Sequence, residues 1–213
     1  MPLTKVTPQN DQAVTWALLG RLRDFIHPSE SLHHPLTDVY RIRPIQAVYV
    51  VGLEDLRKTG LEGAEQSCWR FLAGSTLGQA AGAEVTFLGP GHTPILNGLL
   101  TGPEVTVFVQ SVDRFVSQYS KTYDGYDDDY ELRILSIPGL LIEAFWLKCT
   151  SAQPGNTAAT DHIIPFLDGS RRLELMHDYP AGEFLGEVQK MAAARLETAK
   201  VSDVKHDDPY ILK

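Results

Sequence analysis

Cysteine is scarce in this chain. Cys68 and Cys149 are the two in 213 residues, so no disulfide framework is implied and a reducing cytoplasm is the expected compartment. Long apolar runs are missing as well. The N-terminus, Met1-Pro2-Leu3-Thr4-Lys5-Val6-Thr7-Pro8, lacks the continuous apolar core of a signal peptide. No stretch reaches the roughly 20 uninterrupted apolar residues that a bilayer span needs. Basic charge is thin: 19 lysines and arginines stand against 27 acidic residues, a formal net charge of −8, and they are scattered along the chain. Nucleic acid is therefore disfavoured as a partner, since its phosphates must be met by concentrated positive charge. Anionic membrane surfaces are disfavoured for the same reason.

The motifs that announce chemistry are also wanting. None of the 7 histidines falls in an HExxH arrangement, and the adjacent His33 and His34 point apart on any regular element. Gly74-Ser75-Thr76-Leu77-Gly78 puts its serine in the wrong place for a nucleophile elbow. Gly89-Pro90-Gly91 lacks the third glycine of a dinucleotide fingerprint, and Pro90 removes a donor that a phosphate would use. No lysine follows a suitably spaced glycine pair, so there is no P-loop. No cofactor is expected.

What the chain does have is a core. Its 43% hydrophobic content suffices for one large domain over residues 1–213 without staples. Its centre is the stretch 130–149, where two strand-length apolar runs flank Pro138-Gly139. If those two residues form the turn, Tyr130, Leu132 and Ile134 share a face with Leu141, Phe145, Leu147 and Cys149. Leu135 and Ile137 then share the other with Leu140, Ile142, Ala144 and Trp146. Both faces are apolar, which places the hairpin inside a sheet covered on both sides.

Elsewhere the periodicity predicts a helix over 10–27, a long loop over 28–44, and a buried strand over 45–53. Leu61, Ala64, Cys68, Phe71 and Leu72 recur at helical spacing, which predicts a helix ending near Gly74 with Cys68 on its buried face. A small-residue connection then leads to a short strand over 84–88. One or two helical turns follow over 95–100, then a strand over 105–110, and a short helix capped by Ser111 with Val112, Phe115, Val116 and Tyr119 on its face. Strands over 162–167 and 172–176 are separated by the tight-turn pair Asp168-Gly169, with Pro165 placing the first at an edge or bulge. Phe184, Leu185, Val188, Met191 and Leu196 define a C-terminal amphipathic helix, followed by a polar, disordered tail from about 202. The expected class is α+β, a single domain with a mixed, largely antiparallel sheet flanked by helices. An α/β fold with a parallel portion in the first half is the alternative.

Several residues are candidates for chemistry. Asp124, Asp127, Asp128 and Asp129 crowd one loop, and oxygen-rich loops hold calcium or magnesium. The glycine falls second in that run and not sixth, so the EF-hand pattern fails and a solvated acidic loop is the expectation; no metal site is assigned. Tyr123, Tyr126 and Tyr130 around it are expected to pack on the domain. Asp161-His162 and His177-Asp178 are pairs in which a carboxylate could orient an imidazole, although sequence neighbours rarely make that contact. Glu143 lies in an otherwise buried strand, where it is either an acid–base group or half of a buried pair with Arg133 or another arginine. Cys149 reads as a small core residue before it reads as a nucleophile. Trp69 and Arg70 sit off the core stripe of the expected helix and are candidates for a groove or partner contact.

These residues lead to a binding module for a partner protein or a small molecule, with no chemistry of its own. A cytoplasmic hydrolase assembled from spatially convergent His92, Glu143, Asp161 and His162 is the alternative. A subunit that mainly self-associates, as a homo-oligomer, is a third.

Overall fold

The computed structural model describes residues 41–74, 80–87, 95–100, 103–119, 122–123, 130–151 and 160–206. In chain order these residues form β1 (Arg41–Val50), α1 (Leu53–Thr59), a 3-10 turn (Gly60–Gly63), β2 (Glu65–Gly74), β3 (Ala80–Thr86) and β4 (Ile95–Leu100). They continue with α2 (Pro103–Gln118), β5 (Tyr130–Ile137), a 3-10 turn (Pro138–Leu140), β6 (Ile142–Cys149), β7 (His162–Asp168), β8 (Tyr179–Pro180) and α3 (Ala181–His206). The strands make an 8-stranded sheet in the order β4-β3-β2-β1-β5-β6-β7-β8. One pair is parallel and the rest antiparallel, so the expected α+β class with a mixed, largely antiparallel sheet is what the chain adopts. Among the described residues, contacts define two compact units, 41–48 with 67–133 and 49–66 with 134–206.

In the first unit β2, β3 and β4 form an antiparallel meander, with Trp69 opposite Val85 and Arg70 opposite Glu84. The helix expected to run to Gly74 is instead the strand β2. Its apolar spacing straddles a 3-10 turn and a strand, and short apolar runs fit both periods. Cys68 is buried all the same. The helical turns expected over 95–100 are the strand β4, paired with β3. The strand expected over 105–110 and the short helix after it are one helix, α2. Pro103 at its start suits a first turn that needs no N–H partner. Val105, Phe108, Val112 and Phe115 form one buried stripe at 3.6-residue spacing, and that packing overrides the β preference of the valines. Ser111 is interior to the helix, not its cap, and its hydroxyl donates to the Val107 carbonyl at 2.7 Å. Tyr123 and Tyr130 are buried edge to face, with centroids 5.2 Å apart. This is the packing role expected of them.

In the second unit α1 was not foreseen. Glu54 pairs with Arg57 at 3.1 Å and with Lys58 at 3.7 Å along its surface. Gly60 ends it at a φ of 65°, where other residues are strained. The hairpin β5–β6 lies inside the sheet order, as expected. Its connection is longer than a two-residue turn: Pro138–Leu140 coil into a 3-10 turn and Leu141 closes it at φ 54°, its N–H donating to the Pro138 carbonyl at 3.1 Å. The expected face survives this change. Leu135, Ile137, Leu140, Ile142, Ala144 and Trp146 all belong to one core cluster with Phe184, Val188 and Met191 of α3. Leu141 leaves its expected face and points outward, 67% exposed.

β7 carries the irregularity that Pro165 implied. The register passes from Glu143↔Leu167 to Ala144↔Pro165, so the strand bulges there. The Pro165 carbonyl accepts the Met176 N–H at 2.7 Å. The strand expected over 172–176 is instead an irregular loop, and β8 is the two-residue strand Tyr179–Pro180. Asp168 organises that loop: its carboxylate accepts the N–H groups of Ser170, Arg172 and Leu173 at 2.8, 2.7 and 2.7 Å and the Ser170 hydroxyl at 2.6 Å. These bonds hold the segment in turns, with Arg171 and Met176 at positive φ, and leave no extended run to form a strand. α3 buries Ala181, Phe184, Val188, Met191 and Ala192, and each large side chain so buried contributes about 1.5–3 kcal/mol. The helix runs on to His206, so residues 202–206, expected in a tail, are helical. The helix expected over 10–27 and the loop over 28–40 lie outside the described residues, whereas Arg41–Pro44, expected in that loop, open β1.

The Asp168 loop supports a prediction with a defined pH dependence. Burial pushes this carboxyl up, but the hydrogen bonds from the Ser170 hydroxyl and from the Leu173, Ser170 and Arg172 amides outweigh it and hold the group below its ordinary 3.8. A carboxyl held low when folded binds fewer protons than in the unfolded chain. Its contribution is therefore complete above the ordinary carboxylate range and is lost as pH falls below about 4. Asp168→Ala is expected to cost about 1–2 kcal/mol at neutral pH, measured by urea unfolding. The difference from the parent protein should shrink steadily as the titration is repeated below about pH 4.

Candidate functional site

Lys148, Cys149, Asp161 and His162 of the second unit lie where β6 ends and β7 begins. Leu147 pairs with His162 and Trp146 with Ile163, so Lys148 and Asp161 are the next residues beyond the end of the ladder. Alternation then sends Trp146, Lys148 and Asp161 to one face and Leu147 and His162 to the other. Asp161 is 1% exposed. One carboxylate oxygen accepts the Trp146 indole N–H at 2.8 Å and lies 3.4 Å from the Lys148 ammonium; the other accepts the Cys149 amide N–H at 3.0 Å. Its carbonyl accepts the N–H of Ala181, the first residue of α3, at 2.9 Å. Lys148 also stands over the Trp146 ring at 5.4 Å, and Tyr49 meets that ring edge-on at 5.6 Å. Asp161 thus ties strand β6 to the start of α3, and its lone pairs go to donors that the fold itself buries.

Neither of the two suggestive neighbour pairs forms as such. Asp161 and His162 face opposite sides of the sheet, because successive residues of a strand alternate. His162 instead pairs with Asp178, Nδ1 to Oδ1 at 2.9 Å, with side chains 23% and 29% exposed. His177 packs against Tyr179 at 4.6 Å and lies 4.0 Å from Glu174. One member of each sequence pair, His162 and Asp178, thus meets the other, while Asp161 and His177 turn elsewhere.

The convergence required of a hydrolase does not occur among the described candidates. Glu143 shares the His162 face, but it sits at the far end of β6, four residues from Leu147 and so about 13 Å along the strand. It lies opposite Leu167, half-buried. Arg133 bonds Glu131 on its own strand at 2.8 and 3.1 Å. His92 lies outside the described residues, as do Asp124, Asp127, Asp128 and Asp129; no cluster of three potential metal ligands occurs among the described ones. Cys149 is buried, with its Sγ 3.2 Å from the Ser151 hydroxyl.

Trp69 and Arg70, considered for a partner contact, are buried at 8% and 7% exposure. The Arg70 guanidinium grips one oxygen of Glu84 at 2.6 and 3.0 Å and covers the Phe108 ring at 5.2 Å. Their role off a helix stripe disappears once 65–74 is a strand.

Sequence reasoning missed Lys148 and the role of Trp146. One signal was present: a tryptophan on the buried face of a central strand needs an acceptor for its indole N–H, and Asp161 stood at the mouth of the next strand. No protein-family model, curated protein or solved structure matches the chain. Among the described residues no helix is long and apolar enough to cross a membrane.

Proposed function

We propose that this chain is a binding module without chemistry of its own. The observation that carries this reading is the commitment of Asp161, the most buried of the candidate acid–base groups, to the indole, amide and ammonium donors that join β6 to β7. Leu141 adds to it. This residue is held in left-handed backbone, which costs about 1 kcal/mol or more for a side chain of its kind, and it is presented to solvent. An outward leucine at a position that glycine or asparagine would occupy more cheaply suits contact with a partner. Neither cysteine forms a disulfide, which supports a cytoplasmic setting.

The part-exposed His162–Asp178 pair favours the hydrolase as a second reading, since a carboxylate-oriented imidazole is a general base in form. One experiment separates the two. The purified protein is assayed against chromogenic esters, phosphomonoesters and peptide amides, beside a His162→Ala variant. The binding reading expects no turnover above buffer by either protein. Turnover by the parent that the variant loses at an unchanged thermal midpoint would overturn it.

A further inference from the structure

We propose that Asn97-Gly98, in the strand β4, is a site of spontaneous backbone modification that converts the asparagine into aspartate and isoaspartate. Of Asn10, Asn97 and Asn156, Asn97 alone precedes a glycine. The reaction begins when the Gly98 nitrogen attacks the Asn97 Cγ. A new C–N bond closes a five-membered imide, the Cγ–Nδ2 bond breaks, and Nδ2 leaves as ammonia carrying the proton from the Gly98 amide. Water then opens the ring at either carbonyl, giving aspartate or the β-linked isomer. Nothing is oxidised or reduced, and water is the one co-reactant.

A regular ladder resists this sequence of events by holding the glycine nitrogen in place. Here the ladder is interrupted at the reacting residue. The β3–β4 register runs Glu84↔Gly98 and then Val85↔Leu96, so Asn97 is the extra residue of a bulge, with no residue of β3 opposite it. The side chain is exposed, and among the described residues nothing beyond the chain neighbours lies within 4 Å of the place a Gly98 Cβ would take, so the backbone beside the reacting residue is uncrowded. β4 is also the last strand in the sheet order among the described residues. The Asn97 amide donates from Nδ2 to the Thr86 hydroxyl at 2.7 Å, which in turn donates to the Ser67 carbonyl at 3.2 Å. That bond holds the group that leaves and not the carbon that is attacked.

The products alter the strand in two ways. A carboxylate replaces a neutral amide beside Glu84, whose own charge is already matched to Arg70. The β-linked product also adds a methylene to the main chain and shifts the register beyond it. Either change loosens β4.

The test incubates the folded protein in mildly alkaline buffer, with a urea-unfolded sample and a Gly98→Ala variant alongside, and maps peptides by mass. The open space around Gly98 allows the variant to fold. The expected result is the gain in mass of an amide replaced by an acid, located at Asn97 in the folded protein. It should be accompanied by faster amide exchange over Ile95–Leu100 and be at least about tenfold slower in the variant. A folded protein unchanged at Asn97 after the unfolded sample has converted would overturn the proposal, since the bulged strand would then be protecting the bond. Equal rates in parent and variant would overturn it too.

Discussion

Asp161→Ala should lower the unfolding free energy by about 3–5 kcal/mol, the range for removing one member of a buried, hydrogen-bonded charge set. The substitution strands the Trp146 indole N–H and the Cys149 amide N–H inside the protein and leaves the Lys148 ammonium without its carboxylate. Each buried donor left unmade costs about 1–3 kcal/mol, and the contributions act together because the three donors share one side chain. Trp146→Phe provides the control, since it keeps a ring against Tyr49 and removes the indole donor; it should cost about 1–2 kcal/mol. Urea denaturation measures both. A shift below about 0.5 kcal/mol for Asp161→Ala, the scale of an ordinary surface change, would mean that the carboxylate is not structural. It would also remove the main support for the binding reading.

Why that role was not legible in the chain is a matter of which distances sequence encodes. The hairpin β5–β6 was readable because its information is local: alternating apolar residues and a Pro-Gly break define two strands and their faces within twenty residues. α3 was readable because Phe184, Val188 and Met191 repeat at helical spacing. The Pro165 bulge followed from a missing N–H. Errors arose where one spacing fits two structures. Leu61, Cys68 and Phe71 match a helix, yet they also match a turn followed by a strand once Gly60 ends α1. The valines of α2 favour a strand in isolation and become helical because their stripe packs. Site residues are harder still. His162 and Asp178 are brought together by a loop whose shape depends on Asp168 accepting three backbone N–H groups. Neighbouring letters suggested two wrong pairs, because adjacent strand residues face opposite ways.

The Arg70–Glu84 pair gives the other large effect, and its sign depends on how many partners are removed. Arg70 is almost wholly enclosed, and Glu84 keeps about a quarter of its side chain in water. Glu84→Gln leaves the guanidinium facing a neutral amide where it cannot be rehydrated, at an expected cost of about 3–5 kcal/mol. Arg70→Met keeps an apolar stem, loses the guanidinium over Phe108 and isolates a carboxylate that water still reaches, so its cost falls near the lower end, about 3 kcal/mol. Removing both charges is a different event. In Arg70→Met with Glu84→Leu neither ion of this pair remains to be desolvated, and the double variant should cost clearly less than the two single changes added together. A double-mutant cycle by urea unfolding, with Glu84→Leu as the second single variant, therefore predicts a coupling of more than about 2 kcal/mol. Single costs below about 1 kcal/mol with no coupling would place the pair in the class of solvated surface bridges. Burial of Arg70 within the β2–β3 ladder would then add nothing to what its apolar neighbours supply.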